Sequence, residues 1–470
     1  MSLAPEFTPA SHSPAYRWLR RWQFGLNLFL LGAALVLGMF VFRRALFLLF
    51  VVPVAFVPFS YARLRLHTYL EGLLRSHPRT APFCRPFTGL GVLFDCVMIA
   101  QFLTARSGHA IPIVHSAGVS WVGAIWFSAH GLLFLGYTLL DLGRLSGRLV
   151  RWVLHSVLAQ QTVSPTTLIS PERRQFLQHL GVLGAGAPFV FSLSSVKLNY
   201  DFRVEEREIS LPHWPRELDG LRVAHLSDIH VGGAMNRERL LRMAALTNTA
   251  RPDLVLHTGD FLTYRSGDFD APLYEALVRI RAPYGQWACL GNHDFEAPER
   301  LVQRLSQAGV TTLRNTLVTL SVNGHPLEVA GIDFLFGPFG MDAERYAQVV
   351  RSWGPRGPVP RLLLNHDPRA FARLPRGCAD LVLSGHTHGG HVGVQLGRDH
   401  ALTVVGLCGI PDQGLFRRAD MRLFVTRCVG FYGYPMRLGI PPEIALLTLR
   451  APQPTPPRST PGPVAISANG

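Results

Sequence analysis

Five apolar runs of strand length, each stopped by a short segment of Gly, Asp, Asn and His, constrain this chain more than any other feature. Leu221-Arg222-Val223-Ala224-His225-Leu226 leads into Asp228-Ile229-His230, and Leu254-Val255-Leu256-His257-Thr258 leads into Gly259-Asp260. Trp287-Ala288-Cys289-Leu290 is followed by Gly291-Asn292-His293-Asp294, and Leu362-Leu363-Leu364 by Asn365-His366-Asp367. Asp380-Leu381-Val382-Leu383 precedes Gly385-His386-Thr387-His388-Gly389-Gly390. Short apolar runs bounded by turn residues read as buried strands. Open α/β sheets gather ligands at the carboxyl ends of their strands. Glycine there permits positive φ and close approach of ligands. The five segments are therefore predicted to converge on one site.

The chain before residue 200 has a different composition. With 470 residues it exceeds the size at which one core keeps growing, so two or more parts are expected. A polar lead-in (1–23) precedes apolar runs at 24–42, 45–61, 87–104, 119–140 and 176–193. Runs of about this length can span a bilayer. Arginines cluster before the first run, between the second and third, and before the fifth. The positive-inside rule then predicts a cytoplasmic amino terminus and five spans over 24–194. Everything after Ser194 would lie outside a cytoplasmic (inner) membrane. Asp95 and Gln101 in the third run read as a helix–helix hydrogen-bonding pair rather than an ion path. Arg173-Arg174-Gln175-Phe176-Leu177 is similar to a twin-arginine export motif. The segment 451–470, rich in Pro, Ser and Thr, is predicted to be disordered.

Net charge of +15 raises the question of an anionic partner. All but Lys197 of the basic residues are arginine, a bias that fits genome composition better than phosphate contacts, so no nucleic-acid partner is expected. The six cysteines include no Cys-x-x-Cys pair, so no thiolate zinc cluster is expected. Cys289 is expected to pack as a small apolar residue. A Cys408–Cys428 disulfide stays open, because sequence does not place their Cα atoms.

In this order, D-x-H, G-D, G-N-H-D, H and G-H-x-H resembles the signature of the calcineurin-like metallophosphoesterases, over about half the chain, 221–450. The ending Arg437-Leu438-Gly439-Ile440-Pro441-Pro442-Glu443-Ile444 is similar to that of a membrane-associated branch that includes UDP-2,3-diacylglucosamine hydrolase-like proteins. His391 departs from that branch, which carries glutamine after the paired glycines. The resemblance implies a catalytic domain at 200–450, an α/β (α+β) four-layer sandwich of two mixed sheets. It also implies two divalent metal ions, Mn, Fe or Zn. Asp228, His230 and His388 would hold one, Asn292, His366 and His386 the other, and Asp260 would bridge them. A hydroxide bridging the metals would attack phosphorus, and His293 would protonate the leaving oxygen.

The activity so implied is membrane-anchored hydrolysis of phosphate mono- or diesters. Membrane lipids are the expected partners, and a phosphorylated small molecule or lipid, including lipid-linked or envelope-precursor pyrophosphates, is the expected substrate. Two rival readings are a nuclease of the same fold and a membrane sensor or transporter with a degenerate domain. Asp294 either orients His293 or caps its loop. His225 and His257 are expected to be packed rather than ligating, and Asp367 to be a turn residue.

Overall fold

In the computed structural model, the described residues are 45–75, 80–83, 86, 89, 93, 117–158, 171–198 and 201–452, the last with short gaps at 232–234, 264–269, 338–339, 398–399 and 433–436. They divide into two compact units. One is Met1–Lys197 with Tyr434–Leu438, and the other is Leu198–Gly433 with Gly439–Gly470.

The described residues of the first unit include three long helices, α1 Ala45–Arg75, α2 Ala117–Leu158 and α3 Pro171–Leu198. Among the described residues one stretch, Gln175–Ser195 in α3, is long and apolar enough to cross a membrane. The five-span array is therefore not supported. The runs at 45–61 and 119–140 sit in α1 and α2, which continue into charged turns carrying Arg65, Glu71 and Arg75, and Asp141, Arg144 and Arg148. Two of these turns meet, with Arg65 paired to Asp141 at 3.1 Å. The lead-in, the run at 24–42, nearly all of that at 87–104 with Asp95 and Gln101, and the tail from 453 lie outside the described residues.

The second unit is built on two six-stranded sheets. The strands of these two sheets are β1 Arg203–Ser210, β2 Leu221–Leu226, β3 Leu254–His257, β4 Gln286–Ala288, β5 Val310–Thr312, β6 Thr316–Val322, β7 His325–Ile332, β8 Arg361–Asn365, β9 Leu381–Ser384, β10 Gly414–Arg418, β11 Met421–Val425 and β12 Glu443–Arg450. The first sheet runs β1-β12-β2-β3-β4-β5 and the second β10-β11-β9-β8-β7-β6. Both are mixed. In the first, β12 and β2 are antiparallel while β2, β3, β4 and β5 are parallel. In the second, β7, β8, β9 and β11 are parallel, flanked by antiparallel β6 and β10.

Successive strand residues face opposite sides of a sheet, and the central strands β3, β8 and β9 are buried on both faces, so they read as near-continuous apolar runs. Leu254, Leu256, Leu362, Leu364, Leu381 and Leu383 fill the layer between the sheets. Val255 turns the other way, onto a cluster with Leu240, Met243, Leu277, Leu301 and Leu305. Those residues belong to α4 Arg237–Thr249, α5 Ala271–Val278 and α6 Pro298–Gln307. Leu363 and Val382 pack with Tyr346 and Val350 of α7, Ala343–Ser352. Asn236 and Asp342 cap α4 and α7 by accepting N–H bonds from Arg239 and Arg345. The result is helix, sheet, sheet, helix.

Asn323-Gly324 turns the β6–β7 hairpin, both residues at positive φ. The apolar run at 402–405 is divided between a strand, Ala401–Thr403, and a helical turn, Val404–Leu407. Thr403 accepts the N–H of Gly406 and so caps that turn.

Candidate metal centre

Every predicted site residue sits just past the carboxyl end of a strand: Asp228 and His230 after β2, Asp260 after β3, Asn292 and His293 after β4, His366 after β8, His386 and His388 after β9. The chain reverses sharply at these points. Asp228, His230, Asp260, His386 and His388 all have left-handed backbones, with φ between +49° and +68°. Such conformations cost non-glycine residues about 1–3 kcal/mol each and persist only where the surroundings enforce them. Enforcement comes from bonds between the loops. Asp228 N–H donates to the Gly259 carbonyl at 2.9 Å and His230 N–H to the Asp260 carbonyl at 3.1 Å. Gly259, at φ +88°, has no room for a side chain, because a Cβ would lie 2.2 Å from the Gly291 nitrogen.

The structure brings the seven expected ligands into two adjoining groups. Asp228, His230 and His388 form one, fully buried, and Asp260, His366 and His386 the other. Asp228 Oδ1 lies 3.2 Å from His388 Nε2 and 3.7 Å from His230 Nε2. Asp260 Oδ2 stands between the groups, 3.5 Å from His230 Nε2 and 3.3 Å from His366 Nε2. Asn292 Oδ1 and His386 Nδ1 each lie 3.1 Å from His366 Nε2, so Asn292 joins the second group.

Two of the imidazoles are held by their other nitrogen. His366 Nδ1 donates to the Thr258 carbonyl at 2.6 Å and His388 Nδ1 to the Gly430 carbonyl at 3.2 Å. That fixes each tautomer and leaves Nε2 facing the cluster.

Charge in the cluster is complementary to a cation. Burial works against ionisation of Asp228, but His388 and His366 outweigh it and hold the carboxyl well below its ordinary range. Asp260 is likewise held low, by His366 and His230 against its burial. Burial also opposes charge on His366, yet Asp260 and Asp228 carry it up to about 10. Asp228 Oδ1 and both ring nitrogens of His230 are buried without a hydrogen-bond partner. A native core seldom leaves such atoms unsatisfied, and a bound cation would satisfy them. Imidazole, carboxylate and amide oxygen together suit a first-row divalent ion. The residues present fit the implied metals.

His293 lies outside both groups. Its backbone N–H donates to Asp260 Oδ1 at 2.8 Å, and its half-buried ring packs 5.0 Å from that of His230 and 4.1 Å from that of Tyr432. Burial lowers its pKa. Asp294 does not reach that ring by any hydrogen bond described. Its carboxylate accepts N–H bonds from Asp260, Phe261 and Gly291, so of its two readings the structure favours the loop cap. His225 and His257 are packed as expected, bonded to Thr258 and Gln286.

Asp367 is more than a turn residue. It caps the following helical turn, pairs with Arg369, and stands 3.7 Å from His386 Nε2. Cys289, Cys378, Cys408 and Cys428 are free thiols, so Cys408 and Cys428 form no disulfide.

Sequence reasoning missed Ser227, Thr258, Cys428, Gly430 and Tyr432. Ser227 and Thr258 adjoin the motifs and were legible as neighbours. Cys428, Gly430 and Tyr432 follow β11, whose end carries no motif of its own.

Residues 221–390 match the calcineurin-like phosphoesterase family. The metallophosphoesterase YkuE of Bacillus subtilis (strain 168) is 28% identical over 290 residues, 59% of this chain and 98% of that protein. A transmembrane protein with metallophosphoesterase domain from Danio rerio is 30% identical over 263 residues, which cover 53% of this chain and 57% of that protein. Phosphodiesterase YaeI of Escherichia coli (strain K12) is 27% identical over 237 residues, 48% of this chain and 82% of its own length. The family's match spans all five polar segments, and with these relatives it shows that the chain carries a calcineurin-like metallophosphoesterase domain and is a metal-dependent phosphohydrolase.

Proposed function

We propose that this chain is a membrane-anchored phosphohydrolase with a binuclear metal centre, acting on phosphate mono- or diesters at a lipid surface. The observation that carries the binuclear reading is Asp260, whose Oδ2 faces an imidazole of each group at 3.5 and 3.3 Å. Asp228, His230 and His388 would hold one ion, Asn292, His366 and His386 the second, with Asp260 shared. Mn, Fe or Zn would supply an acidified water and a counter-charge for the phosphoryl oxygens.

The protein's own residues do the rest. Thr258 and Gly430 orient two imidazoles, and the Asp294 carboxylate ties the loop of Asn292 to that of Asp260. His293 is the proton donor. Its lowered pKa keeps the ring neutral until the negative charge of an entering phosphoryl group recruits a proton, which it passes to the leaving oxygen.

Gln175–Ser195 is the proposed anchor. Arg173 and Arg174 precede it, which by the positive-inside rule puts the catalytic domain on the outer side of the inner membrane. The transmembrane relative from Danio rerio supports anchoring. An enzyme so tethered meets lipid head groups first, which favours phospholipids, lipid-linked pyrophosphates or envelope precursors, as in the UDP-2,3-diacylglucosamine hydrolase-like branch.

The test uses the full-length protein in carbonate-washed membranes, stripped with chelator and resupplied with Mn. Turnover of aryl phosphate mono- and diesters should return with Mn and be lost in Asp260→Asn. Activity that leaves the membranes on washing would sink the anchor. Mn-independent turnover, or an unimpaired Asp260→Asn, would sink the binuclear chemistry.

A further inference from the structure

Thr258, the residue after β3, is fully buried and presents its two oxygens to different halves of the site. Its carbonyl accepts Nδ1–H of His366 at 2.6 Å, which sets that ring's Nε2 toward Asp260, Asn292 and His386. Its hydroxyl donates to Ser227 Oγ at 2.7 Å, and Ser227 Oγ donates to Asp228 Oδ2 at 2.5 Å.

A carboxylate only accepts, so the direction of this chain is fixed from its far end. Ser227 gives its one proton to Asp228, and Thr258 gives its one proton to Ser227. The remaining contact of the Thr258 hydroxyl, His225 Nε2 at 2.9 Å, must then be a donor. His225 is therefore the Nε2–H tautomer, and its buried Nδ1 has no hydrogen-bond partner. Burial keeps the ring neutral, with a pKa driven down to about 3.

The consequence falls on Asp228. Its Oδ2 accepts from Ser227, from the backbone N–H of His386 at 2.9 Å and from Cys428 Sγ at 3.2 Å. With Oδ2 saturated, Oδ1 is left without a hydrogen bond and turned toward His388 and His230. The relay thus decides which oxygen faces the cluster, as the carbonyl of the same residue decides which nitrogen of His366 does.

We propose that Thr258 is a positioning residue that serves both halves of the metal centre. Its hydroxyl, through Ser227, orients Asp228 for one ion, and its carbonyl orients His366 for the other. The inference rests on the binuclear reading above.

The test compares full-length wild type, Thr258→Val and Thr258→Ser in detergent micelles, titrated with Mn(II) by calorimetry and electron paramagnetic resonance. Valine keeps the shape and the carbonyl and removes the hydroxyl. Serine keeps all three hydrogen-bonding groups. Wild type and Thr258→Ser should bind two ions and give an exchange-coupled spectrum. Thr258→Val should hold one ion at wild-type affinity and bind the other about 10–100-fold more weakly, the usual loss when an orienting partner is removed. Its spectrum at intermediate Mn should be that of an isolated ion. Ser227→Ala breaks the same relay at a second point and should behave alike, which covers failure of the valine variant to fold. Two wild-type affinities in Thr258→Val, or equal weakening of both ions in both variants, overturn the proposal. Fewer than two ions in wild type overturn the binuclear reading itself, and the inference with it.

Discussion

Replacing Asp294 by Ala asks how much of this site's geometry one buried carboxylate maintains. Its oxygens accept from Asp260 N–H at 2.7 Å, Gly291 N–H at 2.9 Å and Phe261 N–H at 3.0 Å, with a longer contact from Leu262 at 3.4 Å. The donors belong to two loops, those that carry Asp260 and Asn292. Alanine would strand three well-formed buried donors, and each orphan costs about 1–3 kcal/mol. Water entering the vacated polar space would recover part of this, which puts the expected loss at about 3–5 kcal/mol. That is a large share of a typical domain stability of about 5–15 kcal/mol. Asparagine keeps one oxygen. It can serve the Asp260–Gly291 pair of donors or the Phe261 donor, so its expected cost is about 1–3 kcal/mol. The assay is pulse proteolysis of the full-length protein in detergent micelles across a urea series, following the fragment after residue 198. It is run with chelator and with saturating Mn, to separate loop support from metal binding. An alanine variant within about 0.5 kcal/mol of wild type, the range of an ordinary surface change, would refute the loop-tying role. A loss confined to kcat would point instead to a role in catalysis.

Two further outcomes follow from the same geometry. His366, raised to about 10 in the metal-free protein, is protonated at neutral pH, whereas ligation needs its Nε2 lone pair. Metal affinity at that position should rise about tenfold per pH unit below about 10 and flatten above it. Calorimetry at pH 8 in buffers of different ionisation enthalpy should show one proton released from it, and none released would contradict the assignment. Gly259→Ala adds a Cβ 2.2 Å from the Gly291 nitrogen at φ +88°, whereas Gly309→Ala meets nothing within 4 Å at φ +79°. Thermal unfolding should therefore fall much further for Gly259→Ala, and equal shifts would show that backbone strain rather than loop contact governs the position.

How much was legible in the chain depended on whether a property is local. The strand runs at Leu254–His257 and Leu381–Ser384 were readable because burial on both faces leaves them apolar up to their last residue. Asp228, His230, Asp260, Asn292, His366, His386 and His388 were readable as candidates because each closes such a run. The Asn323-Gly324 turn was readable because few other residues take its backbone angles. The membrane region was less so: apolar stretches mark helices, but how far α1 and α2 continue into charged turns is not written in the apolar run.

Thus the sequence by itself determined the strand–loop pattern, the types of residue available to a metal and the order in which they occur. Only the tertiary structure decided that Asp260 lies between two groups of imidazoles, that Asp294 ties loops rather than orienting His293, and that Thr258 serves both halves of the site. The physical reason is distance along the chain. The Thr258 carbonyl meets His366 across 108 positions, and Cys428 meets Asp228 across 200. Such contacts exist only once both sheets have closed over their shared apolar layer.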